Sequence, residues 1–220
     1  MCGRKYATEE LNWAEYRDAL NILQAPPATN IEPNYNIAPT HYVPVCVSEL
    51  GKRRLELLQW GLVLTWAKET KLGYSMFNAR AETLGEKPSF RNLLKSRRCV
   101  APVSGFYEWK LQGSEKQAHK IELANGRIMM MAGLWAQNGD LGISSYTVVT
   151  TSSSDSFSAI HHRMPVILDQ GEAIDTWMEA DWRTAEKLLN PFAGSLSVLP
   201  GSNEVGNVRN NYPELLNAVV

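Results

Sequence analysis

The chain begins Met1-Cys2-Gly3-Arg4, and the cysteine at position 2 has the most distinctive chemistry in the sequence. A small residue there predicts removal of Met1, which would leave Cys2 with an α-amine beside its thiol. In such a 1,2-aminothiol both groups are partly deprotonated near neutral pH. The amine condenses with an aldehyde to a Schiff base, and the thiol then closes on the same carbon to give a thiazolidine. Cys46 and Cys99 are internal and lack the amine. On position alone, Cys2 is also readable as a tolerated second residue.

Four other segments have the composition of a site. Asn36 falls in a predicted proline-rich loop, where its amide either orients a neighbour or makes a turn. The stretch Phe77-Asn78-Ala79-Arg80-Ala81-Glu82 brings together an amide, a guanidinium and a carboxylate, although such a stretch alone also reads as a solvated face. Gly105-Phe106-Tyr107-Glu108-Trp109 sets a carboxyl group between aromatics on a predicted strand. Those surroundings suit a general acid or base, while a charge on the wet face of an edge strand is the competing reading. Ile160-His161-His162-Arg163 places two imidazoles just before a strand, and on extended backbone adjacent side chains point to opposite sides, so at most one histidine would serve a site. No metal site is expected, because His41 and His119 are isolated and neither HxxxH nor HExxH spacing occurs. The densest basic cluster, Arg91 with Lys95, Arg97 and Arg98, reads by itself as solvation of a surface.

The elements that must position these residues can be read in outline. A helix is predicted over residues 9–23, capped by Thr8, with Trp13, Tyr16, Leu20 and Leu23 on one face and Pro26-Pro27 ending it. Alternation at Val43, Val45 and Val47 predicts a strand, followed by a second over 54–60. Residues 61–90 lose periodicity and read as loop, and 90–95 as a short helix. Strands are predicted over 99–103, 106–110, 145–151 and 164–168. Asn125-Gly126 between 119–124 and 127–135 is a hairpin signal of the type I′ class. Helices over 173–179 and 184–189 follow. Many strands with scattered helices predict a single α+β domain over residues 1–220 with a curved or barrel-like sheet.

Composition sets the outer bounds. The chain has 220 residues, 44% hydrophobic and 20% charged, which is the profile of a folded globular protein. A net charge of −1 gives no global attraction to nucleic acid, so any phosphate binding must come from a local patch. Three cysteines without CxxC spacing argue against a disulfide scaffold and for a reducing, cytoplasmic setting. No signal peptide and no membrane span are expected.

Eight motifs then fall into one order: Met1-Cys2-Gly3-Arg4, Tyr35 to Thr40, Trp60-Gly61-Leu62, Asn78 to Thr83, Lys87 to Arg91, Gly105 to Trp109, Ala132 to Trp135, and Ile160-His161 through Pro165. In this order they resemble the SRAP (SOS response-associated peptidase) family. The resemblance implies a single α+β domain with a bifurcated mixed sheet, a small barrel-like core and surrounding helices. It implies a protein, expected here as a monomer without cofactor, that binds single-stranded DNA containing an abasic site. Cys2 would form a stable thiazolidine with the ring-opened aldehyde, with associated lyase and autoproteolytic activities. Carried over to this chain, Cys2 is the nucleophile and Glu108 the acid/base. Asn36 positions Cys2, and His161 stabilises the abasic sugar. Arg4, Arg80 and Asn78 hold flanking phosphates, with Trp66 available for stacking.

There are departures from the pattern. His162 stands where the family commonly has Asp, which removes a carboxylate that could hold His161. Leu64 and Ser104 replace a frequent proline and a common acidic residue. Two other functions remain open from the residues. An N-terminal-nucleophile amidohydrolase would also begin Met-Cys-Gly, and a reader of modified cytosine in duplex DNA would leave Cys2 without a role.

Overall fold

The computed structural model describes residues 2–27, 31–70, 73 and 75–218. Among the described residues, thirteen strands form two sheets. In the larger, β3 (Tyr42–Glu49), β4 (Lys52–Trp60), β6 (Arg98–Val103), β9 (Met129–Asn138) and β10 (Ile143–Ser152) close on themselves. β4 pairs with β3, β3 with β6, β6 with β9, β9 with β10, and β10 returns parallel to β4, a five-stranded ring with no open edge. Three short strands extend it: β5 (Asn78–Arg80) and β11 (Arg163–Pro165) beside β10, and β12 (Ile167–Leu168) beside β9. The smaller sheet runs β13 (Leu196–Pro200), β8 (Glu115–Leu123), β7 (Gly105–Gln112), β1 (Arg4–Ala7) and β2 (Asn34–Ile37), all neighbours antiparallel.

The chain crosses between sheets at Ser104. Its N–H donates to the Tyr6 carbonyl at 2.9 Å, and its hydroxyl receives the Thr8 N–H at 3.0 Å. Gly105 follows because nothing larger fits: a Cβ there would lie 2.2 Å from the Tyr6 hydroxyl and 2.4 Å from the Ile121 carbonyl. One core takes Phe106 and Ile121 from the smaller sheet together with Trp60, Cys99, Leu134 and Tyr146 from the ring. A second, smaller cluster on the far side of the small sheet packs Tyr6, Tyr35, Tyr107 and Ala118 against Val205 and Leu215 of the C-terminal segment.

The α+β class and the barrel-like ring agree with the sequence; several local readings do not. The first helix is shorter, α1 (Trp13–Leu20), and its N-cap is Asn12, whose Oδ1 accepts from Ala14 N at 3.0 Å. Thr8 instead spends its hydroxyl on Ser104, 3.1 Å away, and Leu23 is 96% exposed beyond the helix. The segment read as a loop around Asn36 is strand β2, because β1 offers it a partner that periodicity cannot reveal. The strands flanking Asn125-Gly126 exist but do not pair. Only Gly126 has a positive φ (71°), whereas a type I′ turn needs two such residues, and the chain leaves β8 in one sheet to enter β9 in the other. The predicted strand at 164–168 is split at Val166, which bonds to both Val149 and Ala132. Residues 61–90 contribute β5, a 3-10 turn at Ala81–Thr83 and part of a one-turn helix, α2 (Pro88–Arg91). The remaining helices are α3 (Asp155–Ser158), α4 (Glu172–Glu179) and α5 (Trp182–Ala185), the last passing into a 3-10 turn. Among the described residues no helix is long and apolar enough to cross a membrane.

Candidate active site

Cys2 sits where the small sheet meets the ring, immediately before β1, and is 1% exposed. Its carbonyl accepts a hydrogen bond from Asn78 Nδ2 at 2.8 Å, so a residue of the ring sheet fixes the start of a strand in the other. Its Sγ lies 3.9 Å from the Arg4 carbonyl. Burial pushes the Cys2 thiol up to about 12; the Lys5 charge opposes that rise and the Glu108 carboxylate adds to it. The sulfur is therefore held as a thiol at neutral pH. Attack by it requires a group to take the proton.

Glu108 is 4% exposed on β7, between β1 and β8, directly opposite His119. An interior strand rules out the edge-strand reading of this charge. Its Oε1 receives the Trp109 N–H at 3.3 Å. The carboxylate bears electrostatically on both Cys2 and His161, which places the three in one neighbourhood.

His161 is half-buried, and burial lowers its pKa below the usual imidazole value, against the opposing pull of Glu108. Near pH 7 the ring is neutral. Its Nδ1 lies 3.0 Å from the Arg163 N–H and 3.1 Å from the Arg163 carbonyl. The neutral ring accepts from the N–H and carries its proton on Nε2; the protonated ring donates to the carbonyl. Backbone thus orients the ring, a role that an aspartate at position 162 is not needed for. His162 does not point away as extended backbone would dictate: residues 161 and 162 precede β11, and the two rings stack at 4.3 Å and 26°. The stacked partner adds to the disfavouring of charge on His161.

The hydrogen bonds that Asn36 Nδ2 makes lead to the C-terminal segment and not to Cys2. Asn36 is 1% exposed on β2, and its Nδ2 donates to the carbonyls of Asn207 (3.0 Å) and Asn210 (2.9 Å) in the C-terminal segment. The contact expected of Asn36 is the one Asn78 makes. Arg4 is likewise engaged, giving hydrogen bonds to the Val205, Gly3 and Gly206 carbonyls at 3.2, 2.9 and 3.3 Å. Arg80 is exposed at the end of β5, and Trp66 is 64% exposed. Arg163, in contrast, is committed to structure. It grips Glu82 through both nitrogens at 2.6 and 3.0 Å and the Thr150 carbonyl at 2.7 Å. Arg98, from the basic cluster, is buried and donates to the Trp177, Leu94 and Ala180 carbonyls. Among the described residues no group of three His, Cys, Asp or Glu side chains could hold a metal ion.

The sequence reading passed over Lys5. It is fully buried, its Nζ lies 2.6 Å from the Tyr146 hydroxyl and 3.9 Å from the centre of the Trp60 ring, and its charge bears on Cys2. The available signal was a lysine inside the run Lys5-Tyr6-Ala7, all three of which are buried.

A closed strand ring joined to a second sheet, with a buried cysteine at the junction and a carboxylate whose charge bears on both that cysteine and an imidazole, defines an α+β protein with a candidate thiol site. The chain matches the SOS response associated peptidase (SRAP) family over residues 1–208 and belongs to it. It is 38% identical to the abasic site processing protein YoqW of Bacillus subtilis, over 98% of this chain and 99% of that one. It is 34% identical to the abasic site processing protein HMCES of Xenopus tropicalis, over 100% of this chain and 79% of that one. A crystal structure of a protein from Bordetella bronchiseptica superposes with a TM-score of 0.75 at 25% identity, covering 91% of this chain and 100% of that one.

Proposed function

We propose that this protein processes abasic sites in single-stranded DNA by linking Cys2, once Met1 is removed, to the ring-opened sugar. The observation that carries the reading is the convergence on Cys2: Asn78 holds its carbonyl at 2.8 Å while the Glu108 charge bears on both its thiol and His161. An abasic sugar is mostly a closed hemiacetal, and opening it needs proton transfer at the ring oxygen. Glu108 serves that step and then delivers the proton with which water leaves the carbinolamine. The resulting Schiff base accepts the Cys2 sulfur to give a thiazolidine. Elimination from the Schiff base at the 3′ side is the lyase branch, and His161, neutral near pH 7, is the group assigned to it. Loss of Met1 by the protein's own action is the autoproteolytic activity.

Asn78 acts on the nucleophile rather than on phosphate. Arg80, with its guanidinium exposed, and Trp66, with an exposed indole, supply phosphate and stacking contacts. Arg4 braces the strand behind the nucleophile. Incubation with a single-stranded abasic oligonucleotide is expected to give an adduct that survives heat and detergent, absent in Cys2→Ala. Ammonia release from glutamine without any adduct would instead indicate an amidohydrolase, and equal DNA binding by Cys2→Ala with no adduct from either protein would indicate a non-covalent reader.

A further inference from the structure

Two histidines precede β11, and the chemistry above gives a part to only the first. The turn that follows α3 brings their rings to the same side. The His161 N–H donates to the Phe157 carbonyl at 3.3 Å, and the His162 carbonyl accepts from the Ser153 N–H at 3.1 Å. Next in the chain, the Arg163 side chain is pinned to Glu82 and to the Thr150 carbonyl. The segment is therefore held on both sides of the pair. It lays the exposed ring of His162 on the half-buried ring of His161, with 4.3 Å between centres and 26° between planes. The Arg163 backbone meets His161 at one nitrogen, Nδ1. Contact at one nitrogen does not set the plane of a ring. The face of His162 supplies a second constraint.

We propose that His162 is a positioning residue, its ring the platform on which His161 is held flat in the site. The proposal rests on the reading that His161 serves the abasic sugar. Aromatic rings at this separation attract when their faces are offset, and the stack restricts rotation of the inner ring. Two imidazolium rings so close would repel, so the pair keeps its platform only while at most one ring is charged. Burial is the main influence holding His161 neutral; Glu108 on β7 opposes it, and the terminal α-amine and His162 add to it. The Arg163 guanidinium is committed to Glu82, and the Arg163 backbone is what meets the ring. His162 thus acts on the reaction through His161, by its face. Another flat ring should therefore replace it, and a side chain without a ring should not.

The test reads the ring and the reaction separately, in the full chain. Without DNA, the His161 ring protons are followed by NMR across about pH 5 to 8, where imidazoles titrate. In wild type they should carry an upfield shift from the His162 face. His162→Ala should remove that shift and raise the His161 midpoint, whereas His162→Phe should keep the shift. With a single-stranded abasic oligonucleotide, the initial rate of adduct formation should fall roughly three- to tenfold in His162→Ala, the range that one ring contact supplies. In His162→Phe it should return to within about twofold of wild type, because the stacked face is restored. Position 162 is exposed, so both variants are expected to fold. Unchanged His161 shifts, or a wild-type rate, in His162→Ala would overturn the proposal. Equal losses of rate in the two variants would overturn it as well, since they would give His162 a role of its own in place of a platform. If wild type forms no adduct while the ring shifts change as stated, the aldehyde reading falls and the positioning of His161 by His162 stands.

Discussion

At the scale of single residues, burial sets the protonation state of Cys2 and of two nearby titratable side chains. Cys2 is held as a thiol, His161 is neutral near pH 7 and Lys5 is lowered to about 7, while the proposed acid–base step falls to Glu108. Glu108→Gln keeps size and hydrogen-bonding shape but moves no proton. It is expected to lower the initial rate of adduct formation by ~10²–10⁴-fold while single-strand affinity stays near wild type. The final yield recovers at long times, so the reading must be an initial rate. His161→Ala should alter adduct rate or stability more than His162→Ala, since only the first ring is held by the Arg163 backbone; the reverse order in parallel time courses would reassign the role. The residue types were legible in the sequence, because an N-terminal aminothiol and a carboxyl group among aromatics declare their chemistry. Their partners were not. Asn36 and Asn78 are both amides on short extended segments, and only the pairing of β5 with β10 shows which of them reaches Cys2.

At the scale of elements, β1 carries the site and is held from three directions. β2 and β7 pair with it, Asn78 ties its entry to the ring, and Arg4 ties it to the C-terminal segment. Gly105 is the tightest point of that arrangement. Gly105→Ala drives a methyl into the Tyr6 hydroxyl and the Ile121 backbone, and is expected to cost at least ~1–3 kcal/mol in urea unfolding, with adduct formation lost in proportion as β1 shifts. Asn36 has a different part to play: its amide secures two carbonyls of the C-terminal segment. Asn36→Ala should leave those acceptors unpaired at a cost of ~1–3 kcal/mol, read as faster hydrogen exchange across residues 203–217. Asn78→Ala should instead slow adduct formation. Strand β2 and the C-terminal segment escaped the sequence reading for one reason: they are ordered by what they pack on rather than by periodicity of their own. The hairpin signal at Asn125-Gly126 misled because a turn motif reports a local bend and says nothing about which sheet receives the next strand.

At the scale of the whole molecule, the net charge of −1 leaves DNA affinity to local cations. Arg80→Ala should weaken single-strand binding and flatten the salt dependence of log K by ~0.7; an unchanged slope would shift the phosphate contact to Arg91 or Lys95. Stability should carry a pH signature of the buried lysine. Lys5 falls from its ordinary 10.5 to about 7 on folding, so between those values the unfolded chain binds the extra proton and stability rises with pH. Cys2 and Cys46 are raised from 9.0 to about 12, so their contribution falls as pH rises above 9. The clean window is therefore about pH 7 to 9. There the stability of wild type relative to Lys5→Met should climb by up to about 1.4 kcal/mol per pH unit in chemical denaturation. A flat difference would mean that Lys5 keeps an ordinary pKa.

The central claim is that Cys2, as the true N-terminus, joins an abasic sugar through both its amine and its thiol. Intact mass spectrometry of the protein after reaction with a single-stranded abasic oligonucleotide tests it most directly. The account predicts a species equal to the protein without Met1, plus the oligonucleotide, minus one water, with the modification mapping to Cys2. An adduct that retains Met1, or one that maps to Cys46, Cys99 or a lysine, would contradict it.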